Sequence, residues 1–89
     1  MNDTQAFLTA EKFEELKKEL DHLKTVRRKE VAESLEYARS LGDLSENAEY
    51  QEARDEQAQV ELRIAELDEL LKPGNYSIID DDAGTKKKR

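Results

Sequence analysis

Cysteine and tryptophan are absent from this chain, and apolar side chains are scarce: 36% of its 89 residues are hydrophobic against 42% charged. Without cysteine there is no disulfide framework, no thiol nucleophile and no Cys-based zinc site. So little apolar material cannot fill a deep globular core, which limits the chain to one small domain and leaves little room for a self-contained catalytic pocket. No apolar run approaches membrane-spanning length, and Met1-Asn2-Asp3 opens on an acid where an export signal would be basic. Together these absences predict a cytoplasmic protein. Fifteen Lys and Arg against twenty-two Asp and Glu give a net charge of -7. Binding to a nucleic-acid backbone over the whole surface is therefore disfavoured, and any RNA contact must be local.

What the chain has instead is heptad order. Thr9 is the expected N-cap of a first helix that begins near Ala10, with Glu11 in the first turn where the helix dipole favours a negative charge. Phe13, Leu16, Leu20 and Leu23 alternate steps of three and four, the spacing of a seam that faces one partner helix. Two steps of four through Arg27 carry the seam to Val31, and it resumes at Leu35, Ala38 and Leu41; a stutter of this kind relaxes the supercoil. Gly42 suits a left-handed helix end. In Asp43-Leu44-Ser45-Glu46, Asp43 is the candidate N-cap of a capping box completed by Glu46, with Ser45 as the alternative cap. The second helix places Tyr50, Ala53, Gln57, Val60, Ile64, Leu67 and Leu71 on its seam and stops at Pro73-Gly74.

Two helices of similar length joined by so short a turn run antiparallel. The predicted fold is all-α: a long antiparallel two-helix coiled-coil hairpin over residues 1–75, followed by a short, largely irregular C-terminal tail over residues 76–89. At about 1.5 Å per residue, arms of roughly thirty residues give a rod on the order of 45 Å long, with the turn at Gly42 to Glu46 at its far end. In the tail, Tyr76-Ser77-Ile78-Ile79 reads as a short strand with no partner strand in this chain. Asp80 to Thr85 reads as a polar linker, and Lys86 to Arg89 as a basic run. A strand without a sheet, leading into a linker, predicts that a second domain follows.

The far end concentrates chemistry. Leu41-Gly42-Asp43-Leu44-Ser45-Glu46-Asn47-Ala48-Glu49-Tyr50 sets three acids, an amide and an aromatic at the point of the rod. Gly42-Asp43-Leu44 followed by Glu46-Asn47-Ala48-Glu49-Tyr50 resembles the hairpin tip of the GreA-type bacterial transcript cleavage factors. Leu23-Lys24-Thr25-Val26-Arg27-Arg28 resembles their mid-helix signature. The similarity runs from about Leu8 to Ile79. Ser45 departs from the family pattern, which is basic at this position.

The resemblance implies an N-terminal coiled-coil domain, with an FKBP-like C-terminal domain beyond the linker. It further implies that the hairpin enters the secondary channel of RNA polymerase and brings its tip to the 3′ end of backtracked RNA. There Asp43 and Glu46 would help hold a second Mg²⁺ shared with the polymerase and position the attacking water. On this resemblance the factor would have no enzymatic activity or cofactor of its own and would stimulate the polymerase's intrinsic nuclease. Elementary chemistry is compatible: two carboxylates alone fall short of the octahedral oxygen set that Mg²⁺ requires, so they form half a site. Two-metal hydrolysis needs both ions about 3.5 to 4 Å apart, so a delivered carboxylate that retains the second ion could switch the reaction on.

Each of these residues also has a plainer reading. Capping alone selects Asp43 and Glu46 as residue types, and a cap would orient the same carboxylates. Glu49 reads as a solvated acid. Tyr50 lies on the seam, where packing competes with base stacking on RNA. Asn47 reads as an exposed helical residue or as a hydrogen-bonding contact to RNA or polymerase. Arg27 and Arg28, with Lys24 and Lys29, form the basic cluster of the helix; salt bridging competes with RNA phosphate contact. Arg39 and Arg54 lie nearer the tip, and His22 reads as a surface residue. Two other functions fit the architecture: a passive channel inhibitor, and a structural adaptor that assembles through its heptads. The probe reading calls for a monomer.

Overall fold

A computed structural model describes residues 5–79. Its elements are strand β1 (Ala6–Thr9), helix α1 (Ala10–His22), one π-helical turn (Leu23–Arg27), helix α2 (Arg28–Ser40), a 3₁₀ turn (Leu44–Glu46), helix α3 (Ala48–Leu70) and strand β2 (Tyr76–Ile79). The principal extents are 60 × 34 × 17 Å, those of a rod. Helix α1, the π turn and α2 form one continuous arm, and α3 returns beside it as the second arm of the predicted hairpin.

Helix α1 starts where its cap dictates, with the Lys12 N–H donating to Thr9 Oγ1 at 3.0 Å. The heptad leucines then meet in two stacked clusters. Leu8, Leu16 and Leu67 form the basal one, ringed by Phe13, Leu70, Leu71 and Tyr76. Val31, Leu35, Ala53, Val60 and Ile64 form the distal one, with Tyr50 against it, and Leu20 and Leu23 pack on both. Each fully buried aliphatic side chain contributes about 1.5 to 3 kcal/mol, and Leu67, with 0% of its surface exposed, is the most completely enclosed of them.

The two steps of four resolve into a π turn. The Arg28 N–H bonds to the Leu23 carbonyl, and the Thr25 hydroxyl donates back to the Asp21 carbonyl at 2.8 Å. A π turn takes one more residue than an α turn, so Leu23 and Val31 both face the partner without long-range unwinding. Two residues assigned to the seam by spacing lie outside it. Gln57 is exposed, because the layer opposite the π turn is ionic, with the Arg27 guanidinium reaching across to Glu56. Leu41 is 50% exposed because it caps α2 beyond the last turn that α3 covers.

The tail corrects the sequence reading most. Tyr76–Ile79 does have a partner in this chain: β1 and β2 pair in parallel, Ala6 with Tyr76, Phe7 with Ser77, Leu8 with Ile78 and Thr9 with Ile79. Parallel strands need a long crossover, and here the whole hairpin is that crossover, so no local signal marks the pairing. The Phe13 and Tyr76 rings stack with centroids 5.0 Å apart. The Ser77 hydroxyl donates to Gln5 Oε1 at 3.0 Å, and the Ala6 N–H to the Asn75 carbonyl at 3.1 Å. Helix and strand pair thus close the open end of the rod. The expected linker at Asp80–Thr85 and basic run at Lys86–Arg89 lie outside the described residues. Among those described, no helix is long and apolar enough to cross a membrane.

Candidate functional site at the hairpin tip

The far end reverses direction through two consecutive left-handed residues. Gly42 (φ 80°) ends the first arm, its N–H bonded to the Arg39 carbonyl at 3.0 Å, as a glycine C-cap requires. Asp43 follows at φ 51°, ψ 60°, a region that aspartate tolerates better than most residues. The 3₁₀ turn then begins, with the Glu46 N–H donating to the Asp43 carbonyl at 3.1 Å and the Asn47 N–H to the Leu44 carbonyl at 3.3 Å.

This geometry replaces the expected capping box. The Asp43 side chain makes no capping hydrogen bond, and Ser45 lies inside the 3₁₀ turn. The N-cap of α3 is Asn47, whose Oδ1 accepts from the Tyr50 N–H at 3.0 Å. The reason is steric. Left-handed backbone at Asp43 is not the geometry of an N-cap, whereas the extended backbone of Asn47 (φ -91°, ψ 102°) is.

The carboxylates of Asp43 and Glu46 are consequently left free. Both residues are exposed, they stand one 3₁₀ turn apart, and neither forms an ion pair among the described residues. Among those residues, no group of three or more His, Cys, Asp or Glu side chains is placed to hold a metal ion. The tip therefore offers two hard oxygen donors, which suit Mg²⁺ but do not complete its shell.

Asn47 is half-buried rather than exposed. Its Nδ2 donates to the Ala38 carbonyl at 2.7 Å and to the Gly42 carbonyl at 3.2 Å. Tyr50 packs against the distal cluster as its seam position predicted. The Arg54 Nη1 donates to the Tyr50 hydroxyl at 3.3 Å, and the Arg54 guanidinium lies 5.9 Å from the ring centroid. That hydrogen bond, with the charges of Arg54 and Arg39 and against some desolvation, holds the Tyr50 phenol below its usual value of 10.0.

Arg27 and Arg28 are engaged elsewhere. Arg27 bonds to Glu30 within its own arm and to Glu56 across the hairpin. Arg28 grips Glu61 through Nε and Nη2, both at 2.8 Å. These hydrogen bonds to glutamates hold both guanidinium groups above their ordinary pKa. Lys24 pairs with Asp68 at 3.2 Å. By contrast, Arg39 and Arg54 form no ion pair among the described residues. The structure thus draws Arg39, Tyr50 and Arg54 together near the tip, a grouping to which sequence reasoning gave no role. Only the four-residue spacing of Tyr50 and Arg54 signalled it.

Among the described residues, a helical hairpin closed at its base by a strand pair and carrying exposed carboxylates at its turn defines an antiparallel coiled-coil domain. The chain belongs to the GreA-type transcription elongation factors, as their N-terminal domain: the family model described as "Transcription elongation factor, N-terminal" matches residues 6–73. It is 51% identical over 78 residues to transcription elongation factor GreA of Bacillus subtilis (strain 168), an alignment covering 88% of this chain and 48% of that protein. It is 53% identical over 75 residues to the GreA of Thermoanaerobacter pseudethanolicus, covering 84% of this chain and 46% of the relative. The GreA of Geobacillus kaustophilus is 51% identical over 81 residues, covering 91% and 50%. The chain spans about half the length of the curated relatives it matches.

Proposed function

We propose that this chain acts in transcription elongation by entering the secondary channel of RNA polymerase as a monomer and stimulating the polymerase's own cleavage of backtracked RNA. The observation that carries the reading is the pair of exposed carboxylates, Asp43 and Glu46, which form no ion pair among the described residues and lie at the end of a rod whose long axis is 60 Å. Asp43 and Glu46 would help hold a second Mg²⁺ shared with the polymerase, which would supply Lewis-acid activation of the attacking water.

The work of this chain's own residues is delivery and orientation. Asp43 and Glu46 present oxygen donors that form no ion pair among the described residues. Arg39 and Arg54 supply a local positive site on a chain of net charge -7, suited to phosphates of the extruded RNA. Arg27 and Arg28 pair with Glu30, Glu56 and Glu61; such exposed pairs are weak enough to exchange for RNA phosphate, so these two arginines remain candidate contacts alongside the pair nearer the tip. Tyr50 supports Arg54 from the seam.

The test is a cleavage assay on a stalled, backtracked elongation complex. The double variant Asp43→Ala, Glu46→Ala should lose stimulated cleavage while still competing for polymerase. Full cleavage by that variant would remove the mechanism, and a stable dimer or tetramer of the parent chain at micromolar concentration would favour the adaptor.

A further inference from the structure

Asn47 does more than begin a helix. Its Oδ1 caps α3 through the Tyr50 N–H at 3.0 Å, while its Nδ2 crosses the turn to the Ala38 carbonyl at 2.7 Å and the Gly42 carbonyl at 3.2 Å. One side chain therefore touches the last turn of α2, the residue before Asp43 and the first turn of α3. Asp43 and Glu46 both lie within the loop it closes. Asp43 holds a left-handed backbone conformation that is uncommon for residues with a Cβ, and although aspartate tolerates it better than most, contacts across the turn decide how fully it is populated.

Resting on the cleavage-stimulating reading of the tip, we propose that Asn47 is the positioning residue for the Asp43 and Glu46 carboxylates: its amide locks the reversed tip in the one arrangement that presents both. Only a primary amide of this length supplies an acceptor for the cap and two donors for the carbonyls. Aspartate would keep the cap, which helix N-termini favour, but would lose both donors and set a negative charge against two carbonyl oxygens. Serine would keep a weaker cap without the reach across the turn.

The experiment compares the parent chain, N47D, N47S and the D43A/E46A double variant on a backtracked polymerase complex, and records by NMR on the free chains the intraresidue amide–Hα dipolar coupling of Asp43, read as the NOE, which is strong only at positive φ. N47D and N47S should keep the helix signal and compete for polymerase like the parent. Their stimulated cleavage should fall on the order of tenfold, as expected when reacting groups are held less well. The Mg²⁺ concentration for half-maximal cleavage should rise, and the Asp43 coupling should move away from its positive-φ value. A purely structural cap would leave the last two readouts unmoved in N47D. The proposal is overturned if N47D and N47S both cleave like the parent while D43A/E46A is inactive, if both lose the helix signal, or if the Asp43 coupling is unchanged in both. Should D43A/E46A itself cleave like the parent, the functional reading fails, and the coupling still decides whether Asn47 holds the loop.

Discussion

Arg28 on the first arm holds Glu61 on the second through two N–H···O contacts of 2.8 Å, one residue beyond the π turn. With Arg27 and Glu56 beside it, this pair replaces an apolar layer with an ionic one at mid-rod. Both side chains are nearly half exposed, at 45% and 47%, so the pair fixes register more than it adds stability. Exposed ion pairs contribute about 0 to 1 kcal/mol and are screened by salt. A double-mutant cycle of Arg28→Ala and Glu61→Ala, followed by urea unfolding, should give a small favourable coupling that shrinks in high salt. A coupling that survives high salt undiminished would show the pair to be far less solvated than its exposure indicates.

Acid should loosen the rod. The Arg28 hydrogen bond draws Glu61 below the usual glutamate value of 4.5, and the Arg63 hydrogen bond does the same for Glu19, in each case against some desolvation. A carboxyl whose folded pKa is depressed contributes stability above its unfolded pKa and loses it as the pH falls through the folded one. The thermal midpoint should therefore hold above pH 4.5 and fall below it. In the Glu19→Gln, Glu61→Gln double variant that fall should be shallower. Melting curves across this range check the sign, and a midpoint that rises on acidification would contradict it.

The base should be the most sensitive to truncation. Leu67 is fully enclosed between Leu8, Leu16 and the surrounding ring of Phe13, Leu70, Leu71 and Tyr76. Leu67→Ala should cost about 2 to 5 kcal/mol, a large part of the stability of so small a domain. Leu62→Ala, at a residue 61% exposed, should stay within about 0.5 kcal/mol. Equilibrium urea unfolding of the two variants against the parent checks the contrast.

Much of this architecture was legible in the residues. Thr9, the leucine spacing and Gly42 identify the first arm because each acts through neighbours within a turn or two. The irregularity around Arg27 was visible as two steps of four, but spacing cannot tell a relaxed supercoil from a π turn, since both bring Leu23 and Val31 to one face. The acidic tip was visible as well. Its cap was misplaced because Asp43, Ser45 and Asn47 are all good N-cap residues. The choice among them depended on a left-handed turn that residue type alone does not impose.

The sequence by itself determined the hairpin, its polarity and the identity of the tip acids, because heptad periodicity and helix-ending residues are local properties carried by every few positions. Only the tertiary structure decided three things: that β1 pairs with β2, that Arg27 and Arg28 pair with glutamates while Arg39 and Arg54 form no ion pair among the described residues, and that Asn47 closes the tip. Each rests on groups brought together by the return of the second arm. Pairing across that return depends on register and on backbone direction at Gly42 and Asp43, which no run of neighbouring residues encodes.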